Sequence, residues 1–314
     1  MCPFKGSLSL VVRASKLLNS RNFIFLMSLV AGLVWDTGAR YAEGLMLPGL
    51  ALIMTLSTMN VSVESFRSPR VLLTFSLAGI AASYFVQASV ILALNTFLIK
   101  NQHFWEGFVL VAAVPPAVAV IPFALFLDGD KEFALLGTIG TYLAGLFLTP
   151  LIALVYLGTG FLNPLKLLAV LVELIIAPLV LAKILVATGV SKRIDPWKEP
   201  VMNWTFFLVI YILTGLNRDV FMTQPGSIVP VLVIAIANTF VLGWLIEKAG
   251  IFFGFNKARV TSFLLLSTYK NYGIAGGLAL IFFDPKTAVP ATVTSAVGIL
   301  YFIWLSFMKS KGKT

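Results

Sequence analysis

The chain has 314 residues, of which 59% are apolar and only 11% are charged. Soluble domains contain about 45–50% apolar and about 25% charged residues, so a soluble fold of this composition could not cover its own surface. The high apolar content also excludes a disordered chain. Apolar runs of about 18–26 residues match bilayer-crossing helices rather than the roughly ten-residue strands of a membrane barrel. The composition therefore predicts an all-α integral membrane protein.

Ten apolar segments follow one another along the chain. In chain order they cover about residues 22–36, 43–61, 70–98, 105–127, 132–157, 164–190, 200–217, 226–247, 260–283 and 287–308. Their lengths predict ten transmembrane helices. Residues 1–21 carry several basic side chains but have neither the long apolar core nor the small-residue cleavage site of a signal peptide. We expect them to form a cytoplasmic amphipathic lead.

The basic residues are distributed unevenly between the two sides of the predicted membrane. The formal charge of +10 comes from 23 Lys and Arg residues against 13 Asp and Glu residues. If both termini are cytoplasmic, 16 of the basic residues lie in cytoplasmic segments and five in the opposite loops. This distribution follows the positive-inside rule, and it explains the charge without a nucleic-acid partner. We expect a multi-pass protein of the cell (plasma or inner) membrane with both termini cytoplasmic.

Few residues could support catalysis or bind a metal. A single cysteine, Cys2, excludes an internal disulfide and a cysteine-built metal site, and the only histidine, His103, falls in a predicted loop. An intramembrane enzyme needs a nucleophile with a base, a pair of carboxylates or a metal cluster. Glu173 is the one carboxylate in the middle of a predicted span. The sequence therefore predicts no enzyme, no cofactor and no bound metal.

A short pattern occurs twice, at half the length of the chain. Leu56–Asn60 ends the second span and Leu213–Asn217 ends the seventh, and similar acidic, Phe and Pro positions follow each copy. Five spans separate the copies, and an odd number inverts the second copy in the membrane. The alternative is that two apolar segments agree by chance. We expect two inverted five-helix repeats, residues 22–157 and 164–308, followed by a basic cytoplasmic tail, residues 309–314.

The fourth and ninth spans are interrupted at equivalent positions of the two repeats. The fourth contains Pro115 and Pro116, and a double proline breaks a helix because it removes backbone donors. The ninth contains Lys270, Asn271 and Gly273 at its middle, and Pro115 and Lys270 are 155 residues apart. Interrupted helices at matching positions indicate a transporter's binding site, where half-helix amino ends attract an anion. A simple kink in a packed helix is the alternative for the prolines.

Polar and ionisable residues inside the spans provide further candidate site positions. Lys270 and Glu173 lie near the middle of the ninth and sixth spans, where a charge costs at least about 2.5–3.5 kcal/mol. We interpret both as coupling residues that exchange a proton. The alternatives are a structural tether for freed carbonyls at Lys270 and a satisfied structural partner at Glu173. The candidate polar lining of the site consists of Asn60, Thr138, Asn238 and Thr268.

These motifs together resemble the bile acid:sodium symporter family of the bile/arsenite/riboflavin transporter superfamily. Leu52–Arg70 is similar to the family's second span and following loop, Val114–Pro150 to its broken fourth helix and fifth helix, and Lys270–Ala275 to its crossing segment. The resemblance covers roughly residues 23–307. It implies panel and core domains that each draw helices from both repeats, with helices four and nine broken and crossing, and alternating access. The substrate site that it implies consists of Pro115, Pro116, Ala117, Lys270, Asn271 and Tyr272.

The chain departs from this family at the residues that bind sodium in its sodium-coupled members. The family's Ser-Asn pair falls on Val120 and Ile121, its third-span Gln on about Gly79, its ninth-span Glu near Leu266, and its crossing Gln on Lys270. A hard cation such as sodium needs several oxygen ligands. Here those oxygens are absent and an ammonium group takes a position among them, which predicts that Lys270 replaces the sodium ion.

The sequence therefore predicts a secondary transporter that moves small organic anions by alternating access and does not depend on sodium. Its expected partners are the anion and the lipid bilayer. Sodium- or proton-coupled symport by a member of the same family is one alternative. A non-transporting membrane sensor or scaffold is another, although such a module usually carries an attached soluble domain.

Overall fold

The computed structural model describes residues 21–59, 68–158, 164–223 and 225–311. Within these ranges the backbone is almost entirely helical, and the one β-bridge joins two helix breaks. The prediction of an all-α fold is confirmed. The predicted lead up to residue 20, the candidate lining residue Asn60 and tail residues 312–314 lie outside the described residues.

The described helices differ widely in length. In chain order they are α1 (Arg21–Val34), α2 (Asp36–Ala42), α3 (Met46–Thr58), α4 (Pro69–Leu98), α5 (Gln102–Ala113), α6 (Val120–Phe126), α7 (Lys131–Leu157), α8 (Pro164–Leu171, continued by Val172–Ile176 and Ala177–Ala187), α9 (Val190–Leu216), α10 (Arg218–Thr223), α11 (Pro225–Phe252), α12 (Lys257–Thr268), α13 (Tyr272–Phe282) and α14 (Val289–Lys311). Short 3₁₀ turns precede α3 and α14.

Six of these helices, α4, α7, α8, α9, α11 and α14, are long and apolar enough to cross a membrane. Their length and composition indicate a multi-pass membrane protein. The predicted first and second spans form a pair that passes the same test together and is bent by 104° at Trp35. The predicted fourth and ninth spans are each divided into two shorter helices, α5 with α6 and α12 with α13. Ten separate crossings therefore stay a prediction.

Side-chain caps and glycines determine where several helices begin and end. The Asn101 side chain accepts a hydrogen bond from the Phe104 N–H at 3.1 Å and starts α5. The Asp130 side chain accepts one from the Phe133 N–H at 3.0 Å and starts α7. These bonds pair amide groups that have no partner inside the helix. Helix α7 ends at Gly158, whose φ of +76° lies in a region that glycine adopts readily.

Small residues let α4 and α7 approach each other closely. A β-carbon on Gly79 would lie 2.5 Å from the Gly137 carbonyl oxygen, so no larger residue fits there without movement. Beside this contact the Ser76 hydroxyl donates to the Leu136 carbonyl at 3.3 Å. Glycine and serine at a helix contact are typical of packing in membranes. This packing fixes the distance between two helices that both contact the candidate site.

Three of the long helices contain a π-helical turn. The turns are Ala81–Gln87 in α4, Val172–Ile176 in α8 and Ala237–Val241 in α11. A π turn inserts one extra residue into a helix and re-orients the side chains after it, and such turns are frequent at functional sites. The turns of α4 and α11 each hold buried polar side chains.

Two ion pairs join helix ends that are far apart in the sequence. The Arg259 guanidinium, at the start of α12, lies 3.3 Å from the Asp130 carboxylate before α7. The Arg40 guanidinium of α2 lies 3.7 Å from the Asp219 carboxylate of α10. Exposed pairs of this kind stabilise a protein by only about 0–1 kcal/mol. Their value is geometric, because each pair joins two segments between predicted spans that the charge distribution assigns to one side of the membrane.

Candidate functional site

Helix α5 ends at a double proline. Pro115 and Pro116 have no N–H groups, so they cannot donate to the carbonyls of the preceding turn. The backbone becomes extended at Val114, and α6 begins only at Val120. The break deprives the carbonyls of Val114 and its neighbour Ala113 of their ordinary helical donors, and each needs a partner from elsewhere.

The second break separates α12 from α13. Helix α12 ends at Thr268, and Tyr269 adopts extended backbone angles. Asn271 then starts the next helix, because its side-chain oxygen accepts a hydrogen bond from the Ile274 N–H at 3.0 Å. Asparagine is one of the residues that most favour this capping position. The amino end of α13 therefore lies immediately after the break.

The two breaks cross and pair with each other. Pro116 and Lys270 face each other in an antiparallel bridge. On one side of the bridge the Asn271 N–H donates to the Pro115 carbonyl at 2.9 Å. On the other side the Ala117 N–H donates to the Tyr269 carbonyl at 3.1 Å. The two breaks and the residues that meet there lie at the positions that the sequence predicts. The bonds satisfy backbone groups that neither broken helix could pair alone.

The Lys270 side chain is completely buried, with 0% of its surface exposed. Its ammonium group donates to the Val114 carbonyl at 2.9 Å. The same nitrogen lies 4.5 Å from the centre of the Tyr84 ring, a distance at which the ring face attracts a cation. Among the described residues, none of the ion pairs involves Lys270. The ammonium group therefore donates to a carbonyl whose ordinary helical donor, the N–H four residues further on, lies past the double proline.

Thr149 of α7 supports the same break. Its hydroxyl donates to the Ala113 carbonyl at 2.7 Å and lies 3.4 Å from the Tyr84 hydroxyl. Two neighbouring carbonyls freed by the prolines are thus paired by side chains from two other segments. Tyr84 and Thr149 are not among the site residues predicted from the sequence, because a hydroxyl inside an apolar span gives no indication of its partner.

Asn271 connects the crossing to α7. Its side-chain nitrogen donates to the Tyr142 hydroxyl at 2.9 Å, while its oxygen caps α13. Tyr142 is buried and is likewise absent from the predicted site. Both ends of the Asn271 side chain, its donor nitrogen and its acceptor oxygen, therefore already have a structural partner.

A cavity of about 90 Å³ lies beside the crossing. Its lining includes Phe25, Leu50 and Phe206 of α1, α3 and α9, Ala117 of the crossing and Phe302 of α14. The lining is largely apolar.

The ammonium group of Lys270 points away from this cavity. Lys270 contributes to the wall, but Val114 and Tyr84, which contact its nitrogen, do not line the cavity. Tyr272 and Asn271 also contribute to the wall, at the amino end of α13. The positive charge thus lies behind the crossing, where it stabilises the break rather than contacting the cavity directly.

Two candidate lining residues are occupied within their own helices. The Thr138 hydroxyl donates to the Ala134 carbonyl at 2.7 Å in α7, and the Thr268 hydroxyl donates to the Leu264 carbonyl at 2.8 Å in α12. Neither residue lines the cavity beside the crossing. A threonine in a helix commonly bonds back to the preceding turn, which explains how these hydroxyls are satisfied inside apolar spans.

The structure does not bring Glu173 to Lys270. Glu173 lies on the π turn of α8 and is exposed, whereas Leu174 and Ile175 of the same turn are buried. Lys270 has no exposed surface, and no ion pair or hydrogen bond joins the two side chains in the described structure. The sequence predicted similar depths for both residues, but depth does not reveal which face of a helix a residue occupies.

Two buried amide side chains have no hydrogen-bond partner within the described residues. They are Gln87, on the π turn of α4, and Asn238, on the π turn of α11. Asn238 lies within interaction range of the Tyr272 hydroxyl without forming a hydrogen bond of ordinary geometry. An unsatisfied buried polar group costs about 1–3 kcal/mol, so both positions need an explanation. Asn238 is a candidate lining residue from the sequence, whereas Gln87 is not.

No protein-family model and no curated protein matches this chain. A function must therefore be inferred from the geometry and chemistry of the crossing itself.

Proposed function

We propose that the protein is a secondary transporter of small organic anions that works by alternating access and does not depend on sodium. In this proposal Lys270 replaces the sodium ion of the family that the sequence resembles. The observation that carries the proposal is the buried ammonium group at the crossing of two broken helices, bonded to the Val114 carbonyl at 2.9 Å. In this proposal the protonated Lys270 side chain provides a cation at the crossing without any ion from solution.

An inverted repeat is part of the proposal. The two breaks pair with each other, and Pro115 and Lys270 are 155 residues apart. Ser83 and Asn238 are separated by the same number of residues, and each lies on a π turn. This agreement of two independent irregularities at one offset supports a duplicated five-helix unit. Inverted repeats with broken helices are a common architecture of secondary transporters.

Alternating access requires the cavity at the crossing to change its size. Ligand pockets usually measure about 300–1,000 Å³, whereas this cavity measures about 90 Å³. Such a space is too small for most organic substrates, so the helices that line it must separate when a substrate enters.

The preference for an anion follows from the amino end of α13. Asn271, Tyr272 and Gly273 line the cavity at that end, and the amino end of a helix presents N–H groups and a partial positive charge. The charge of Lys270, on the other side of the crossing, adds to the positive potential. Because Phe25, Phe206 and other apolar residues form the remaining wall, we propose an anion with an apolar body.

The proposed arrangement in the membrane has ten spans with both termini cytoplasmic. The charge distribution supports it, because 16 basic residues lie on one side and five on the other. The ion pairs Arg259–Asp130 and Arg40–Asp219 support it too, since each joins two loops of one side.

Sodium-coupled symport is a second candidate function, because two buried amide oxygens are available. Gln87 and Asn238 have side-chain oxygens without a hydrogen-bond partner among the described residues, and sodium takes oxygen ligands. Two amides provide fewer oxygens than a hard cation requires, and the ammonium group of Lys270, which contacts Tyr84 on the same π turn as Gln87, repels a second cation there. These two facts favour the sodium-independent mechanism.

Counterflow in proteoliposomes tests the transport function. Vesicles loaded with an unlabelled apolar carboxylate or bile salt should accumulate the same labelled compound from outside, in sodium and in choline buffer alike. Positively charged analogues should not accumulate. A panel of carboxylates, sulfonates and bile salts without any protein-dependent exchange would count against a transporter of organic anions.

A further inference from the structure

A second cavity, of about 330 Å³, lies where α4 and α7 end and α5 begins. Its walls include Lys100, Trp105, Glu106 and Tyr156, and it shares no residue with the cavity at the crossing. Its volume falls within the usual range for small-molecule sites. This cavity is therefore a separate candidate binding site, independent of the proposed transport function.

Glu106 is buried in the wall of this cavity, with only 5% of its surface exposed. One carboxylate oxygen accepts a hydrogen bond from the Gln102 side chain at 3.0 Å. The other lies 3.9 Å from the His103 Nδ1, an ion-pair distance when His103 is protonated but too long for a hydrogen bond, and that nitrogen has no hydrogen-bond partner within the described residues. A buried charge is costly unless it is paired. The carboxylate therefore has room for a cationic hydrogen-bond donor.

Three other features favour a cation beside Glu106. The carboxyl end of α4, at Leu98, and that of α7, at Leu157, both lie at the cavity. Helix carboxyl ends carry a partial negative charge. Trp105 and Tyr156 line the same space, and aromatic faces attract ammonium groups. A primary ammonium also suits a carboxylate oxygen, because it donates hydrogen bonds.

The mouth of the cavity favours the opposite charge. Lys100 lines it and is exposed, and the amino end of α5, at Gln102, adjoins it. An exposed ammonium group and a helix amino end both attract phosphate groups. The cavity thus offers the buried carboxylate of Glu106 and the exposed ammonium group of Lys100. Together they suit a compact zwitterion with an ammonium and a phosphate.

The surface next to the cavity indicates that this zwitterion belongs to a lipid. Phe97, Leu151 and Val155 lie on the last two turns of α4 and α7 and are 83%, 53% and 68% exposed, as expected of side chains that contact acyl chains. Trp and Tyr residues are enriched at the level of lipid head groups. We propose that the cavity binds the head group of a phosphatidylethanolamine-type lipid, with its ammonium on Glu106 and its phosphate on Lys100.

Thermal unfolding of the purified full-length protein in detergent tests this proposal. Short-chain dihexanoyl-phosphatidylethanolamine should raise the unfolding midpoint, whereas dihexanoyl-phosphatidylglycerol should not. Glu106→Gln should weaken the apparent affinity for the ethanolamine lipid by about 10- to 100-fold, the range expected for losing a hydrogen bond to a charged group. Soluble phosphoethanolamine, which has no acyl chains, should stabilise the protein far less than the lipid. Equal stabilisation by the soluble compound would overturn the lipid assignment.

Matched variants at the opposite end of α7 provide the controls. Glu132→Gln removes an exposed carboxylate there and should leave the lipid affinity unchanged. If Glu106→Gln does not fold, Lys100→Gln tests the phosphate half of the site, and we expect about tenfold weaker binding. Lys131→Gln is its control. Equal responses to the two lipids, or wild-type affinity in every folded variant of Glu106 and Lys100, would overturn the proposal.

Discussion

The ammonium group of Lys270 donates a hydrogen bond to the Val114 carbonyl at 2.9 Å, so a cation on one broken helix pairs an acceptor freed by the break in the other. This bond and the face of the Tyr84 ring are the two interactions of the Lys270 nitrogen within the described residues. The bond gives Lys270 a structural role that any transport mechanism must preserve. The proposed replacement of a sodium ion follows from this bond.

Removing the Lys270 ammonium group should destabilise the protein. Lys270→Met keeps most of the buried volume but leaves the Val114 carbonyl unpaired, which should lower the free energy of unfolding by about 1–3 kcal/mol. Thermal unfolding in detergent measures the change. Lys286→Met, at an exposed loop position, should leave the unfolding midpoint unchanged. A Lys270→Met protein as stable as this control would show that the bond does not outweigh the cost of burying the charge.

The Thr149 hydroxyl should contribute more to stability than the hydroxyl of Thr138 on the same helix. Thr149→Val leaves the Ala113 carbonyl without a donor, and we expect a loss of about 1 kcal/mol. Thr138→Val removes a hydroxyl that bonds only to its own helix, where the carbonyl keeps its backbone donor. Unfolding midpoints of the two variants, measured side by side, should differ clearly. Equal midpoints would contradict the assigned role of Thr149.

Enlarging Gly79 should push α4 and α7 apart. A β-carbon at this position would meet the Gly137 carbonyl oxygen at 2.5 Å, and overpacking of this kind costs about 1–3 kcal/mol. Gly79→Ala should therefore lower the unfolding midpoint. Gly226→Ala is the matched control, because nothing lies within 4 Å of a β-carbon there. If both variants unfold alike, the two helices are less tightly packed than this contact implies.

The proposed orientation can be tested with single cysteines. In a Cys2→Ser background, Lys100→Cys and Lys131→Cys place a thiol at exposed positions near opposite ends of the molecule. A membrane-impermeant maleimide applied to intact cells should label Lys100→Cys at once. Lys131→Cys should react only after permeabilisation. The reverse pattern, or labelling of both variants in intact cells, would refute the proposed topology.

The breaks were predictable because proline acts through covalent chemistry. Pro115 and Pro116 cannot donate a hydrogen bond in any fold, and α5 ends just before this adjacent pair, whereas the single Pro150 lies inside α7. The position of Lys270 at the same offset marked the second break, and the two breaks pair in the structure. The missing N–H of a proline does not depend on how the rest of the chain folds, so it can be read from the sequence alone.

Side-chain contacts were not predictable, because they depend on how helices pack. Glu173 and Lys270 lie at similar predicted depths, yet one is exposed on α8 and the other is fully buried. Tyr84 and Thr149 contact the site because α4 and α7 pack closely, and Gly145 of α7 lies against the Tyr84 hydroxyl. Nothing in the spacing of apolar residues reports such a contact between separate helices.

The most direct test of the central claim is a sodium titration of the purified wild-type protein. The thermal unfolding midpoint is measured as sodium replaces choline at constant ionic strength. An ion that binds only the folded state stabilises it by an amount that grows with its concentration. We predict that the wild-type midpoint does not change with sodium, because Lys270 already supplies the cation at the crossing. A midpoint that rises with sodium and not with choline would contradict the account.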